Sequence, residues 1–153
     1  MNELKTSAWS ISLWAKADGF NRGAPFYLLT TTPPNNADGF WWHFWTNGTV
    51  WYRTEDSING ERGIENVSVP IQTGVWQHHV IVATENTIRH YLNGEEAFTW
   101  TPSFIPNILD ANDLIFRIGE GYNSGYFFDG SVDDVHVYNT SLSGEEIYEL
   151  YIE

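Results

Sequence analysis

Residues 39–54 read GFWWHFWTNGTVWYRT and contain four of the eight tryptophans in this chain of 153 residues. The central Asn47-Gly48 pair favours a tight turn, so the stretch predicts two strands joined as a hairpin. Because successive side chains on a strand point to opposite faces, the hairpin divides its side chains into two sets. One set comprises Phe40, Trp42, Phe44, Val50 and Tyr52, and the other comprises Trp41, His43, Trp45, Trp51 and Arg53.

Strand-like alternation continues along the rest of the chain. Apolar and polar residues alternate in five further segments, namely 8–17, 76–85, 88–98, 114–121 and 131–139. Such alternation is typical of strands with one buried face, and the Asn93-Gly94 pair is a second hairpin signal. Many short strands separated by turn residues predict an all-β sandwich or barrel, and we expect a single domain over residues 1–153.

One helix is predicted near the C-terminus, in the segment SGEEIYELY at 143–151. Ser143 stands three residues before Glu146, which is the spacing of a capping box that satisfies two backbone amides at a helix start. Ile147, Leu150 and Tyr151 then fall on one face of the helix. We expect this face to pack on the edge of the sandwich.

Composition excludes several classes of partner. The chain carries 20 Asp and Glu against 7 Lys and Arg, giving a net charge of −13 at pH 7. Phosphate backbones and anionic lipid repel such a chain, so we expect no nucleic-acid partner. No apolar run approaches the ~18 residues that span a bilayer, so we expect no membrane insertion. The absence of cysteine removes disulfides, thiolate zinc sites and cysteine nucleophiles.

Three of the five histidines, His78, His79 and His90, are interpreted as structural. His78 and His79 are adjacent, so on a strand they face opposite sides and cannot readily chelate one ion. We expect Trp76 and one of these histidines to fix the strand within the sandwich. His90 lies at an inward position between Ile88 and Leu92, where a core histidine with one hydrogen bond is the simpler interpretation.

Several phrases occur in one order: SAWSISLWAKAD, GVWQHHVIVATENTIRHYLNGE, LIFRIGEG and YFFDGSVDDVHVYNTSLSGEEIYELY. Together they resemble the LamG-like jelly-roll group of the concanavalin A-like lectin/glucanase superfamily, over about residues 7–151. The resemblance implies a jelly roll of two packed antiparallel sheets in a secreted or cell-surface protein. Carbohydrate binding, calcium binding and adhesion are all common in this group, so the fold alone does not settle the function.

The resemblance also assigns the set that contains Trp42 to the interior of the sandwich. Trp41, His43, Trp45, Trp51 and Arg53 are then left on the outer face of the sheet. Flat indole faces beside Arg and His donors suit a sugar ring, which stacks on the indole while its hydroxyls form hydrogen bonds. The glycine-rich segment 119–130 adds two candidate binding residues, Tyr122 and Tyr126.

Two other interpretations of this outer face remain open. A loop, such as residues 30–39 or 54–63, could fold over the tryptophans and bury them as a secondary core. Alternatively, the face could be a protein interface, because an exposed apolar patch of this size invites association.

Clustered carboxylates at Asp129, Asp133 and Asp134 suggest a metal site. Calcium prefers six to eight oxygen ligands, and the resemblance implies a structural calcium near the Asp pair that follows DGSV. The alternative is that one of the pair is solvated, while the other caps a turn or pairs with an arginine.

Catalysis is not expected from this sequence. The resemblance extends to glucanases that carry a Glu-x-Asp-x-x-Glu run on one strand, and the chain has no such run. It also lacks a Ser-His-Asp signature and a phosphate-binding loop. We therefore predict a non-catalytic, lectin-like carbohydrate-binding module, excised from a larger extracellular protein. The alternative is a protein-binding or spacer domain of an extracellular adhesin.

Overall fold

The computed structural model describes residues 8–30, 39–56, 60–105, 114–120 and 126–153. The described chain forms ten strands: β1 Trp9–Ala17, β2 Phe26–Thr30, β3 Gly39–Phe44, β4 Val50–Asp56, β5 Gly60–Val67, β6 Gln77–Ala83, β7 Ile88–Leu92, β8 Glu95–Trp100, β9 Leu114–Ile118 and β10 Gly130–Tyr138. A single helix, α1 Gly144–Ile152, follows the last strand within these ranges. The elements therefore match the predicted class, many strands with one short C-terminal helix.

The strands form two five-stranded antiparallel sheets. The first sheet has the order β10-β1-β6-β7-β8, and the second sheet has the order β5-β4-β3-β2-β9. Strands distant in sequence are neighbours in space, as in the pairing of β1 with both β6 and β10. The predicted two-sheet jelly-roll sandwich is confirmed.

The tryptophan hairpin is β3 and β4, the second and third strands of the second sheet. Phe44 pairs with Val50 and Trp42 with Tyr52 in antiparallel register. The Gly48 N–H donates to the Trp45 carbonyl oxygen at 2.9 Å. Gly48 has a φ of 78°, a conformation that glycine adopts without steric cost. The predicted hairpin is therefore present, with its turn at Asn47-Gly48.

The space between the sheets is filled by the side-chain set that contains Trp42. All five members, Phe40, Trp42, Phe44, Val50 and Tyr52, are at most 1% exposed. They pack against inward residues of the first sheet, including Trp9, Ile11, Leu13, Ile81 and Ile88. Burying one such side chain contributes roughly 1.5–3 kcal/mol, so this apolar layer holds the two sheets together.

A short chain of polar side chains crosses this core. The Tyr52 hydroxyl lies 2.6 Å from His90 Nδ1, and His90 Nε2 lies 3.0 Å from His79 Nδ1. Burial lowers the pKa of His90 to about 3 and keeps the pKa of His79 well below its ordinary value. His90 is thus the expected core histidine, with two hydrogen-bond partners instead of one.

Helix α1 covers the outer face of the first sheet. Its capping box is confirmed, because the Glu146 N–H donates to Ser143 Oγ while the Glu146 carboxylate accepts from the Ser143 N–H. Ile147 is fully buried against Val80, Val82 and Tyr91. The expected position at the sandwich edge is wrong, because Val80 and Val82 belong to β6, the central strand of that sheet.

The neighbouring histidines of β6 face opposite sides, as predicted. His79 points into the core, whereas His78 lies beneath α1, with its Nε2 2.8 Å from Ser12 Oγ. Its ring also stacks on Tyr151 with 6.2 Å between centroids. Trp76 does not fix the strand from inside, because its side chain is 42% exposed and lies beside the Lys16 ammonium.

Within the described ranges, no helix is both long enough and apolar enough to cross a membrane.

Candidate ligand-binding pocket

The hairpin side-chain set that contains Trp41 lines a pocket on the outer face of the second sheet. In the β3–β4 register, Trp41 lies opposite Arg53 and His43 lies opposite Trp51. The pocket has a volume of about 170 Å³ and is lined by Trp41, His43, Trp45, Trp51, Arg53, Glu61 and Tyr126. The structure therefore brings together all five hairpin residues that were predicted as ligand-binding.

Tyr126 reaches the pocket from the segment that precedes β10. This segment is held by a hydrogen bond from the Phe128 N–H to the Gly119 carbonyl oxygen at 2.8 Å. Gly23 permits its close approach, because a Cβ at Gly23 would lie 2.4 Å from the Phe127 carbonyl oxygen. The Tyr126 ring lies 6.5 Å from the His43 ring. Tyr122, the other predicted residue of this segment, lies outside the described residues.

The three pocket tryptophans do not form an open, flat platform. Trp41 is 2% exposed, so its side chain belongs to the pocket wall. Trp45 and Trp51 stack on each other, with 3.8 Å between centroids and 12° between planes. The expectation of three exposed indole faces is wrong, because one ring is buried and the other two cover each other.

Two guanidinium groups flank this tryptophan stack. The Arg22 guanidinium lies 4.4 Å from the Trp45 ring centroid, and that of Arg53 lies 5.3 Å from the Trp51 centroid. Cations attract the electron-rich faces of indole rings, so these contacts hold the stack in place. The stack therefore leaves mainly ring edges and polar atoms for a ligand.

The Arg53 guanidinium is clamped by two carboxylates of β5. Its Nη1 binds Glu61 Oε1 and its Nη2 binds Glu65 Oε1. Arg53 lies opposite Gly63 in the register, so Glu61 and Glu65 are its diagonal neighbours, within reach of a long side chain. A Cβ at Gly63 would lie 3.0 Å from Arg53 Nη1. The missing side chain thus makes room for the guanidinium.

Glu61, Glu65 and Arg22 were not predicted as site residues. A signal for the two glutamates exists in the sequence, because Glu61, Gly63 and Glu65 alternate along one strand and so share a face. The sequence does not reveal that this face lies beside Arg53, because that depends on the pairing of β4 with β5. Arg22 lies in the connection between β1 and β2 and carries no comparable signal.

Two buried nitrogen atoms of the pocket residues have no partner among the described residues. They are His43 Nε2 and Trp51 Nε1, from the cross-strand pair. Burial and the positive charge of Arg53 lower the pKa of His43 to about 4, so its imidazole is neutral at pH 7. A buried polar group without a partner costs about 1–3 kcal/mol, and a ligand that pairs with these atoms would recover part of that cost.

A comparison with known protein families matches residues 1–148 to the concanavalin A-like lectin/glucanases superfamily, in its Laminin_G_3 family. The chain belongs to this superfamily. It is also 31% identical over 107 residues to usherin of Rattus norvegicus, a match that spans 66% of the chain and 2% of the length of usherin. The family resemblance that the sequence motifs suggested is thereby confirmed.

Solved structures show the same fold at low sequence identity. One such structure is domain 4 of AbnA, a GH43 extracellular arabinanase from Geobacillus stearothermophilus, solved in complex with arabinotriose. It has a TM-score of 0.70 and 21% identity, and the match covers 95% of the present chain and 67% of the AbnA chain. The CBM40 domain of the Ruminococcus gnavus IT-sialidase, bound to α2,3 sialyllactose, has a TM-score of 0.71 and 18% identity. This match covers 94% of the present chain and 82% of the CBM40 chain.

The three carboxylates predicted to bind calcium do not form a cluster. Asp133 Oδ1 accepts from the Asp134 N–H, and Asp134 Oδ1 lies 2.8 Å from His136 Nε2. The β1–β10 register shifts beside this pair, and Asp134 has a φ of 49°. Asp129 precedes β10, and its carboxylate lies beside Gly19.

Within the described ranges, no group of three or more His, Asp or Glu side chains is arranged to hold a metal ion. Calcium prefers six to eight oxygen ligands, and calcium binding at Asp129, Asp133 and Asp134 stays a prediction.

Proposed function

We propose that this domain is a non-catalytic, lectin-like module that binds carbohydrate in the pocket of the second sheet. The observation that carries the proposal is the pocket itself, which combines aromatic walls with polar groups that have no partner in the described part of the chain. Ligand sites for small molecules are typically concave, mostly apolar and equipped with a few well-placed polar groups. The pocket has this composition.

Sugar hydroxyls suit the polar atoms around the pocket. A hydroxyl both donates and accepts, so once the pocket side chains move apart it can accept from the buried Trp51 indole N–H and pair with the buried, neutral His43 nitrogen. The volume of about 170 Å³ is below the roughly 300–1,000 Å³ of pockets for drug-sized ligands. A pocket of this size suits one sugar residue, with the remainder of a glycan in solvent.

The fold neighbours support this assignment. The AbnA domain was solved with arabinotriose and the CBM40 domain with α2,3 sialyllactose. Both belong to larger polysaccharide- or glycan-processing proteins by their descriptions, and AbnA is extracellular. By analogy, we place this domain in a larger extracellular protein.

A non-catalytic role is supported by the way the nearby carboxylates are used. Glu61 and Glu65 bind the same guanidinium. A glycoside hydrolase needs one carboxyl group as a proton donor and a second as base or nucleophile at the scissile bond. Two carboxylates committed to one arginine do not meet this requirement.

The competing proposal is a protein-binding or spacer domain of an extracellular protein, in which this face is a secondary core. The nearly complete burial of Trp41 and the mutual stacking of Trp45 and Trp51 favour it. The two proposals differ in what Trp51 does. A binding residue affects ligand affinity, whereas a residue of a secondary core affects stability.

A glycan screen with a matched pair of variants tests the proposal. Trp51→Phe keeps an aromatic ring and removes the N–H, and Trp76→Phe makes the same change at an exposed tryptophan outside the pocket. We expect Trp51→Phe to weaken glycan binding about tenfold, the loss of one net hydrogen bond, while Trp76→Phe leaves the affinity unchanged. Binding would be followed by tryptophan fluorescence and calorimetry.

If the wild-type protein binds none of the neutral, carboxylated and sulfated glycans, the proposal is contradicted. A large loss of melting temperature in Trp51→Phe without a change in affinity would assign the face to the spacer interpretation.

A further inference from the structure

We propose that the pocket selects uncharged sugars and excludes sugars that carry a carboxylate or sulfate, because the Glu61–Arg53–Glu65 clamp leaves an excess of negative charge at its wall. This inference rests on the proposed carbohydrate-binding function and names the class of sugar. Neither the family nor the fold neighbours assign it, since α2,3 sialyllactose, the ligand of one neighbour, is acidic.

The clamp removes the positive charge that an acidic sugar would need. An arginine binds a carboxylate best through two parallel N–H donors. Here the two terminal nitrogens of Arg53 each already bind a glutamate. Three of the five N–H donors of the guanidinium are left by these two contacts, and a carboxylate that uses them lies beside the negative charges of the glutamates.

The charges at the clamp do not balance. One guanidinium faces two carboxylates, which gives an excess of one negative charge beside the pocket. The Arg53 side chain is 19% exposed, whereas those of Glu61 and Glu65 are 45% and 44% exposed, so solvent screens part of the excess charge. Like charges brought together at a binding surface still repel each other. An acidic sugar meets this penalty, whereas a neutral sugar does not.

The other basic groups nearby do not reverse this balance. His43 is uncharged at pH 7, because burial and Arg53 lower its pKa to about 4. Arg22 stacks on Trp45, is exposed to solvent and is not part of the pocket lining. The net charge of the chain, −13, adds a long-range repulsion for anionic glycans. The local charge at the clamp and the overall charge of the chain thus both disfavour anionic glycans.

Neutral sugars can still use the clamp. The carboxylate oxygens of Glu61 accept hydrogen bonds from sugar hydroxyls, and Glu61 lines the pocket. Hydrogen bonds to charged groups contribute more than those between neutral groups. The same residues that exclude acidic sugars are therefore suited to hold a neutral one.

The test uses an array of matched glycans, in which each neutral oligosaccharide stands beside a sialylated, uronic-acid or sulfated counterpart. Lactose and α2,3-sialyllactose form one such pair, and the Kd for each member is measured in solution. We expect the wild-type protein to bind each acidic member with a Kd about tenfold or more above that of its neutral counterpart.

The key variant is Glu61→Gln/Glu65→Gln, which keeps the shape of the clamp and frees the charge of Arg53. We expect the ratio of the acidic to the neutral Kd to fall about tenfold or more in this variant, since it removes two like charges from the site. The control is Glu85→Gln/Glu95→Gln, which makes the same change in net charge at exposed positions outside the pocket.

The outcomes separate this inference from the proposed function. Preference of the wild-type protein for acidic members, or an unchanged Kd ratio in the clamp variant, overturns the charge selection and leaves carbohydrate binding intact. If the Kd ratio changes equally in the control variant, overall charge is responsible for the selection, and the role proposed for the clamp is overturned. Absence of binding to every glycan overturns the proposed function together with the inference.

Discussion

The outer faces of the two sheets differ in how the fold uses them. On the first sheet, α1 covers the face and buries Ile147 against Val80, Val82 and Tyr91. On the second sheet, the corresponding face carries the pocket formed with Trp51 and its neighbours. Both faces are rich in aromatic rings and each contains a histidine, so composition alone does not distinguish them.

The difference lies in what covers each face. On the first sheet, the segment that leads into α1 closes the face, because Ser10 Oγ donates to the Thr140 carbonyl oxygen and accepts from the Leu142 N–H. Both faces contain buried nitrogens without a partner among the described residues, His78 Nδ1 on the first sheet and His43 Nε2 and Trp51 Nε1 on the second. Only the second face combines such atoms with a pocket among the described residues, and this combination is what makes it suited to a ligand.

The largest expected effect is on the covered face. Ile147→Ala removes a fully buried side chain from beneath α1 and should lower the free energy of unfolding by about 3 kcal/mol, since the site cannot fully collapse. Urea unfolding measures this loss. Glycan affinity should not change in this variant, and a parallel loss of affinity in the folded protein would show that the two faces are coupled.

Acid should weaken both faces through their histidines. Burial and Arg53 lower the pKa of His43 to about 4, and burial also lowers that of His78 to about 4, opposed by Asp134. Both lie below the ordinary value near 6.5, so each neutral ring stabilises the fold above pH 6.5. That stability is lost as the pH falls through 4, on the order of 2 kcal/mol for each histidine.

The measurement is the free energy of unfolding between pH 7 and pH 4. His43→Gln and His78→Gln should each flatten this pH dependence, whereas His136→Gln, at an exposed position, serves as the control. If neither substitution flattens the curve, other groups dominate the acid sensitivity.

A smaller effect is expected at the start of α1. Ser143→Ala removes the hydroxyl that accepts from the Glu146 N–H and should cost about 1 kcal/mol, as substitutions at helix N-caps do. Thermal melting detects this change. Ser141→Ala, on the exposed turn before the helix, is the matched control, and equal losses in the two variants would argue against a capping effect.

The smallest effect on stability is expected at the clamp. In Gly63→Ala, the added Cβ would lie 3.0 Å from Arg53 Nη1 and 3.1 Å from the Tyr52 carbonyl oxygen, so the guanidinium must move. Stability should change by less than about 1 kcal/mol, because strand alanine offsets part of the crowding. Glycan affinity should fall, and unchanged affinity would show that the position of Arg53 is unimportant for binding.

Local patterns predicted the main architecture. The two-residue period separated Trp42 from Trp41, and the family resemblance, not the period, assigned the set that contains Trp42 to the interior. The Asn93-Gly94 turn is confirmed by the positive φ angles of both residues, 52° and 82°. The capping box at Ser143 likewise fixed the start of α1. These features were predictable because they depend on neighbouring residues and on the backbone alone.

Features that depend on long-range pairing were not predictable. The Arg53 clamp requires the register of β4 against β5, which includes a shift between Val50 and Tyr52. The register shift of β1 against β10 beside Asp133 also depends on the pairing of strands distant in sequence, so local patterns do not indicate it. The helix was placed at an edge because amphipathicity identifies an apolar face without naming the surface that it covers.

The sequence by itself determined which side chains share a face, where the hairpins turn and where the helix begins, since strand and helix periods are local properties of the chain. Tertiary structure alone decided which face became core, which was covered by α1 and which formed the pocket. It also decided that Trp45 and Trp51 stack on each other and that Arg53 meets two glutamates. Such contacts join residues from separate strands and loops, so their geometry is set by the packing of the whole sandwich.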